Sequence, residues 1–258
     1  AVADLIDNSI TAQANRISVQ FEWNNGNPWI SISDNGYGMT EDELFEAMKP
    51  GSKNPLDERS ENDLGRFGLG LKTASLSQCK RLTVASKKDG GRICCRCWDL
   101  DVVTQKNAWL LLKVPTETAA TIIQKHLDKC PSGTIVIWEK IDRIIPGEHV
   151  GDEEYQRAFL NYAQSVKERI SVVFSSYMSG PHKVAFEMNG REISMWDPFM
   201  TDNPLTTRMP TEYLYVNGNE VKIKTFILPH QKKLSSNEFS LYAGAHGWNA
   251  QQGFYIFR

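Results

Sequence analysis

The chain has 258 residues, 23% of them charged, with a formal net charge of −2 at pH 7. That length supports one large domain or two modest ones with ample core. The balanced charge excludes a global attraction to nucleic acid or anionic membrane, and no apolar run approaches the ~20 residues of a membrane span.

The sequence opens at Ala1, already inside a helical pattern, and reads as a piece of a longer protein. Its cysteines are Cys79, Cys94, Cys95, Cys97 and Cys130, an odd count without paired spacings. That usage argues for a reducing compartment, taken as cytoplasmic. Cys94-Cys95-Arg96-Cys97 lacks a C-x-x-C spacing and a nearby histidine, so it reads as strand thiols, with Cys95 and Cys97 on one face.

Residues 1–14 read as a helix with Val2, Leu5, Ile6 and Ile10 apolar. Asp4 and Asn8 are one turn apart on one face. A carboxylate and an amide so placed can polarise a water and complete an oxygen shell around Mg²⁺; a solvated polar face is the plainer alternative. Arg16 to Trp23 alternates as a strand, Asn24 to Asn27 turns, and Trp29 to Ser33 returns. The second strand ends in Asp34-Asn35-Gly36-Tyr37-Gly38-Met39, where a carboxylate can accept from an exocyclic amine; a simple turn is the other reading. Thr40-Glu41-Asp42-Glu43 starts a helix as a capping box that runs to about Met48, and Lys49-Pro50-Gly51-Ser52-Lys53 breaks it.

Gly65-Arg66-Phe67-Gly68-Leu69-Gly70-Leu71-Lys72 places three glycines and a lysine before a possible helix start. Glycine admits close backbone approach, and a helix start with a lysine attracts an anion, so a phosphate chain suits the loop. It matches neither the Walker pattern, because Leu71 separates the last glycine from Lys72, nor the dinucleotide fingerprint. Strands follow at Leu82 to Ser86 and Arg92 to Leu100, then a helix over Thr116 to Lys129 followed by Pro131. The basic turn around Lys87 and Lys88 is read as solvated. A long helix from about Glu153 to Tyr177 carries Phe159, Leu160, Ala163, Val166, Ile170, Val173 and Phe174 as a core stripe.

These motifs, in this order, resemble the GHKL (Bergerat-fold) ATPase superfamily of gyrase B subunits, heat-shock chaperones, histidine kinases, MutL and MORC proteins. The wording A-D-L-I-D-N-S-I, D-N-G-Y-G-M and G-R-F-G-L-G-L-K-T-A-S is most similar to the MORC-like and MutL-like bacterial members. The resemblance implies an α+β fold, a two-layer sandwich of mixed β-sheet covered by helices, over residues 1–178. An incomplete α/β transducer-like domain would follow at 181–258, beyond the boundary Ser179-Gly180-Pro181.

By the same resemblance, Asp4 is the general base, Asn8 holds Mg²⁺ against the phosphates of ATP, and Asp34 reads the adenine amine. Gly36, Gly38 and Met39 line the base, and Thr134 supports Asp34. Lys49 to Lys72 form a lid, with Ser52, Lys53, Gly65, Arg66, Phe67, Gly68, Leu69, Gly70 and Lys72 toward the nucleotide. Lys232, rather than Lys233, reaches the γ-phosphate from the second domain. There the strands are Lys183 to Met188, Tyr213 to Val216, Val221 to Leu228 and the start of one at Gln251.

Two departures bear on activity. Asp4 is a methylene shorter than the usual glutamate, a shift of about 1 Å that can cost ~10²-fold in rate. Thr11 occupies a position often held by an acid. The implied function is a slow, Mg²⁺-dependent ATPase whose nucleotide state drives lid closure and homodimerisation. The alternatives are a nucleotide-binding switch or scaffold with negligible turnover, or a chaperone-like ATPase. DNA and a protein client both stay open as partners; a membrane partner is not expected.

Overall fold

A computed structural model of the chain describes residues 1–49, 70–143, 153–243 and 247–256. They fall into two compact units, Ala1–Ser194 and Met195–Arg258.

The first unit is built on a seven-stranded mixed sheet in the order β4-β3-β5-β2-β1-β6-β7. Its strands are β1 (Arg16–Glu22), β2 (Trp29–Asp34), β3 (Arg81–Lys87), β4 (Cys94–Asp99), β5 (Gly133–Glu139), β6 (Ala185–Met188) and β7 (Arg191–Glu192). All neighbours are antiparallel except β1 and β6. Because β6 extends the large sheet from β1, the first compact unit runs past the boundary expected at Ser179-Gly180-Pro181. The segment Lys183 to Met188, expected in the second domain, therefore belongs with the first.

Period-two alternation decides which side each strand buries. Ile17, Val19 and Phe21 of β1, Ile30 and Ile32 of β2, Leu82 and Val84 of β3, and Val136 and Trp138 of β5 share one core. Onto that face pack α1 (Val2–Thr11), α2 (Glu41–Met48) and α5 (Glu153–Val173). Phe159 of α5 is fully buried against Phe21 and Trp23. Burying such a ring contributes ~1.5–3 kcal/mol. The other face is covered locally by α4 (Glu117–Leu127), whose Ala119, Ile123 and Leu127 meet Ala85, Ile135 and Ile137. A further helix, α3 (Leu100–Lys106), follows β4 and was not foreseen.

Local chemistry sets the helix starts. Thr40 and Glu43 form the reciprocal capping box of α2, and the Thr116 hydroxyl accepts from Ala119 N–H to cap α4. Along α5 the buried stripe is Phe159, Ala163 and Ile170, continued just past its end by Phe174. Leu160 and Val173, expected in that stripe, are exposed, because each lies one position off the 3.6-residue period that the four buried residues keep.

In the second unit β8 (Thr207–Arg208) pairs with β11 (Phe226–Ile227), and β9 (Glu212–Val216) with β10 (Asn219–Ile223). One helix, α6 (Ser236–Ala243), follows. The run Val221 to Leu228 is thus two strands with different partners, not one. The strand expected from Gln251 is absent among the described residues, where a 3-10 turn at Trp248–Gln251 leads into irregular chain.

Candidate functional site

The site is organised by α1, whose two faces differ in chemistry. Val2, Leu5 and Ile6 are buried, while Asp4 and Asn8 are exposed one turn apart. Gly70 lies beside them: a Cβ added there would be 3.7 Å from Asp4 Cβ. Gly70 opens a short π-helical turn, Gly70–Ala74, so the end of the glycine-rich loop and the acid–amide pair are neighbours.

The buried side of α1 carries Ser9. Its hydroxyl lies 2.8 Å from Asp34 Oδ2 and 3.2 Å from the Leu5 carbonyl. Asp34 closes β2 and is 6% exposed. Its Oδ1 accepts from Gly36 N–H at 2.9 Å. Burial pushes the Asp34 carboxyl above its ordinary range, opposed by the Gly36 N–H, the Ser9 hydroxyl, the charge of His126 and the Thr134 N–H. A carboxylate has about four acceptor positions, so Asp34 keeps capacity for a further donor.

Cross-strand register places Asp34 beside Thr134, Thr134 beside Ser86, and Ser86 beside Cys94. These four residues form one row across β2, β5, β3 and β4, on the α1 face. Ser86 is fully buried; its Oγ lies 2.8 Å from Thr134 Oγ1 and 3.0 Å from the Gly133 carbonyl, and accepts from Met39 N–H at 2.8 Å. Cys94 Sγ contacts the Ser86 carbonyl at 3.3 Å and the Met39 carbonyl at 3.6 Å. Burial raises the Cys94 thiol, which favours its protonated, donating form.

Two glycines make this close assembly feasible. At Gly38, φ is +66° and a Cβ would sit 2.0 Å from the Lys87 carbonyl oxygen. At Gly133 a Cβ would sit 2.3 Å from the Asp34 carbonyl oxygen. The missing side chain of Gly38 therefore admits the neighbouring backbone.

Lys72 is placed differently from the expectation. It is buried, and its ammonium donates to the carbonyls of Ala47 at 2.9 Å and Lys49 at 2.5 Å. Those carbonyls sit at the C-terminal end of α2, where a cation is favoured. Ser52, Lys53, Gly65, Arg66, Phe67, Gly68 and Leu69 lie outside the described residues. Lys232 lies in the second unit, in a 3-10 turn Gln231–Lys233.

The opposite face of the sheet holds an open groove of about 910 Å³, lined by Ser18, Gln20, Ser31 and Ser33 with Lys125 and His126. None of the candidate residues lines it. Among the described residues no group of three or more His, Cys, Asp or Glu is placed to hold a metal, and no helix is long and apolar enough to cross a membrane.

The family described as histidine kinase-, DNA gyrase B-, and HSP90-like ATPase matches residues 1–134, more than half of the chain. The chain belongs to this family. Among curated GHKL relatives, the DNA mismatch repair protein MutL of Thermotoga maritima is 38% identical over 90 residues, covering 33% of this chain and 17% of that protein. MutL of Pasteurella multocida is 31% identical over 125 residues, covering 47% of the chain and 18% of the relative. The ATPase morc-1 of Caenorhabditis elegans is 30% identical over 90 residues, covering 35% and 10%. The chain thus spans less than a fifth of the length of each of these relatives. Among solved structures, the ATPase region of Saccharomyces cerevisiae topoisomerase II is similar with a TM-score of 0.49 and 13% identity, over 85% of this chain and 56% of that one.

Sequence reasoning missed Ser9 and Ser86. Ser86 follows Leu82 and Val84 at period two, which put a hydroxyl at the end of an apolar strand face. Ser9 follows Leu5 by four residues, a polar group on the apolar side of its helix.

Proposed function

We propose that the protein is a Mg²⁺-dependent module that binds and slowly hydrolyses ATP, with a nucleotide state that favours homodimerisation. The observation that carries this reading is Asp34: a buried carboxylate held by Ser9 and Gly36, with acceptor capacity left for an exocyclic amine. Asp4 and Asn8 provide the second half. They share the exposed face of α1 beside Gly70, where a phosphate chain would lie with the base at Asp34.

The donor set fits Mg²⁺. This cation keeps several waters and needs only one or two protein oxygens beside the phosphates. Asn8 offers an amide oxygen for that role, and the bound ion would neutralise charge on the phosphates. Asp4 orients a water and takes its proton as general base. Ser9 and Gly36 orient Asp34, and Thr134 stands beside it on the next strand.

A switch or scaffold with negligible turnover is the second reading, and the side chain at position 4 favours it. Asp4 is short and 53% exposed, and its carboxylate meets the Ala1 amino group at 3.1 Å on the surface. Action on DNA, by a clamp of the MutL or MORC kind, is a proposal from the family alone.

The test measures ATP binding and turnover with Mg²⁺ for wild type, Asp4→Ala and Asp34→Asn. The ATPase reading expects Asp34→Asn to lose binding and Asp4→Ala to bind without turnover. Tight binding with no turnover in wild type selects the switch, and a folded wild type that binds no ATP removes both readings.

A further inference from the structure

The row Asp34, Thr134, Ser86 and Cys94 contains a hydrogen-bond ambiguity that a single proton resolves. Ser86 Oγ contacts three polar groups, yet a hydroxyl has one proton and two acceptor positions. Met39 N–H can only donate, so it occupies one acceptor position. The Gly133 carbonyl can only accept. Thr134 Oγ1 can do either.

Two arrangements remain. In the first, Ser86 donates to Gly133 and Thr134 donates to Ser86, so all three contacts are satisfied. Thr134 then turns only lone pairs outward, beside the acceptor Asp34. In the second, Ser86 donates to Thr134, and the Thr134 proton is released to a ligand. Asp34 and Thr134 now present an acceptor next to a donor. The edge of adenine has the matching order, an amine beside an unprotonated ring nitrogen. Guanine has a carbonyl beside a ring N–H, which opposes it.

We propose that Ser86 selects the base: its hydroxyl proton, moving from the Gly133 carbonyl to Thr134 Oγ1, makes Thr134 a donor to the ring nitrogen of adenine. This rests on the adenine reading of Asp34 above. Ser86 acts through Thr134 and is a positioning residue. Met39 N–H fills the same acceptor position in both arrangements, and Cys94 Sγ holds the Met39 carbonyl from the other side. Ser86 is sealed from water, so no solvent molecule takes over either contact, and the low local dielectric strengthens the chain.

The experiment is calorimetric titration of the 258-residue chain with ATP, with GTP and with the 1-deaza analogue of ATP, whose ring nitrogen is replaced by C–H. Wild type should prefer ATP to the analogue by roughly tenfold, the scale of one well-placed hydrogen bond. Thr134→Val should bring that ratio to about one, and Ser86→Ala should lower it at least ~threefold, while Ser86→Thr keeps it. Rejection of GTP should persist in Ser86→Ala, since it rests on the Asp34 acceptor facing the guanine carbonyl in both arrangements. A purely structural Ser86 would weaken all three nucleotides equally. A wild-type ratio near one, or an unchanged ratio in folded Ser86→Ala, overturns the proposal. Should Ser86→Ala not fold, Thr134→Val decides alone, because a retained tenfold ratio there also overturns it. A folded wild type that binds neither ATP nor its analogue removes the adenine reading itself; ATP binding with a flat ratio removes only the role of Ser86.

Discussion

Ser9 Oγ donates to Asp34 Oδ2 across 2.8 Å, joining the first helix to the end of the second strand where both side chains are buried. A hydrogen bond to a charged group contributes more than a neutral one, ~1.5–3 kcal/mol. Ser9→Ala should therefore lower stability by about 1–2 kcal/mol, read from the midpoint of urea unfolding, and weaken ATP binding several-fold. An unchanged affinity would show that Asp34 needs no support from α1.

Asp34 makes stability depend on pH. Burial raises its carboxyl above the ordinary 3.8 in the folded chain. Between the unfolded and folded values the native state binds more protons, so its stability falls as pH rises through that window. Its contribution is fully present below the unfolded value and is lost above the folded one. Unfolding free energies measured upward from pH 4 should fall more steeply for wild type than for Asp34→Asn, which cannot titrate. Parallel profiles would contradict the burial of a charged group.

Lys72 gives a prediction that separates a structural from a phosphate-binding role. Its ammonium serves the Ala47 and Lys49 carbonyls at the end of α2. Lys72→Met should leave those carbonyls without that donor and cost roughly 1–3 kcal/mol in the nucleotide-free protein, seen in thermal unfolding. Normal melting with a large loss of ATP affinity would place the ammonium on the phosphates instead.

Gly38 sits at the tightest backbone approach of the site. With φ at +66° and the Lys87 carbonyl 2.0 Å from any Cβ, Gly38→Ala combines backbone strain with a collision. A destabilisation of roughly 2–4 kcal/mol is expected from chemical denaturation. Because Met39 is the next residue, the same variant should disturb the Met39–Ser86 hydrogen bond and weaken ATP binding.

Much of this architecture was readable because local signals agreed with the fold. The capping box at Thr40, the alternation of Ile17, Val19 and Phe21, and the Asp4–Asn8 spacing each carry their own period. What was not readable depends on chain pairing. Ser86 becomes a hub only when β3 lies next to β5 with Ser86 opposite Thr134, and no local pattern encodes that register. The segment around Phe186 looked like the start of a new domain because its sheet partner, β1, lies far away in sequence. The contacts of Lys72 with the end of α2 were unreadable for a related reason: the Ala47 and Lys49 carbonyls lie more than twenty residues away in sequence.

Consecutive residues on α1 face opposite tasks. Asn8 looks out beside Asp4, and Ser9 looks in toward Asp34, with no flexible joint between them. A helix of ten residues is a stiff rod of about 15 Å, so a small tilt at one end is conveyed to the other. A displacement of Asp34 or Ser9 would therefore be carried to Asn8 and Asp4 by a single solid lever.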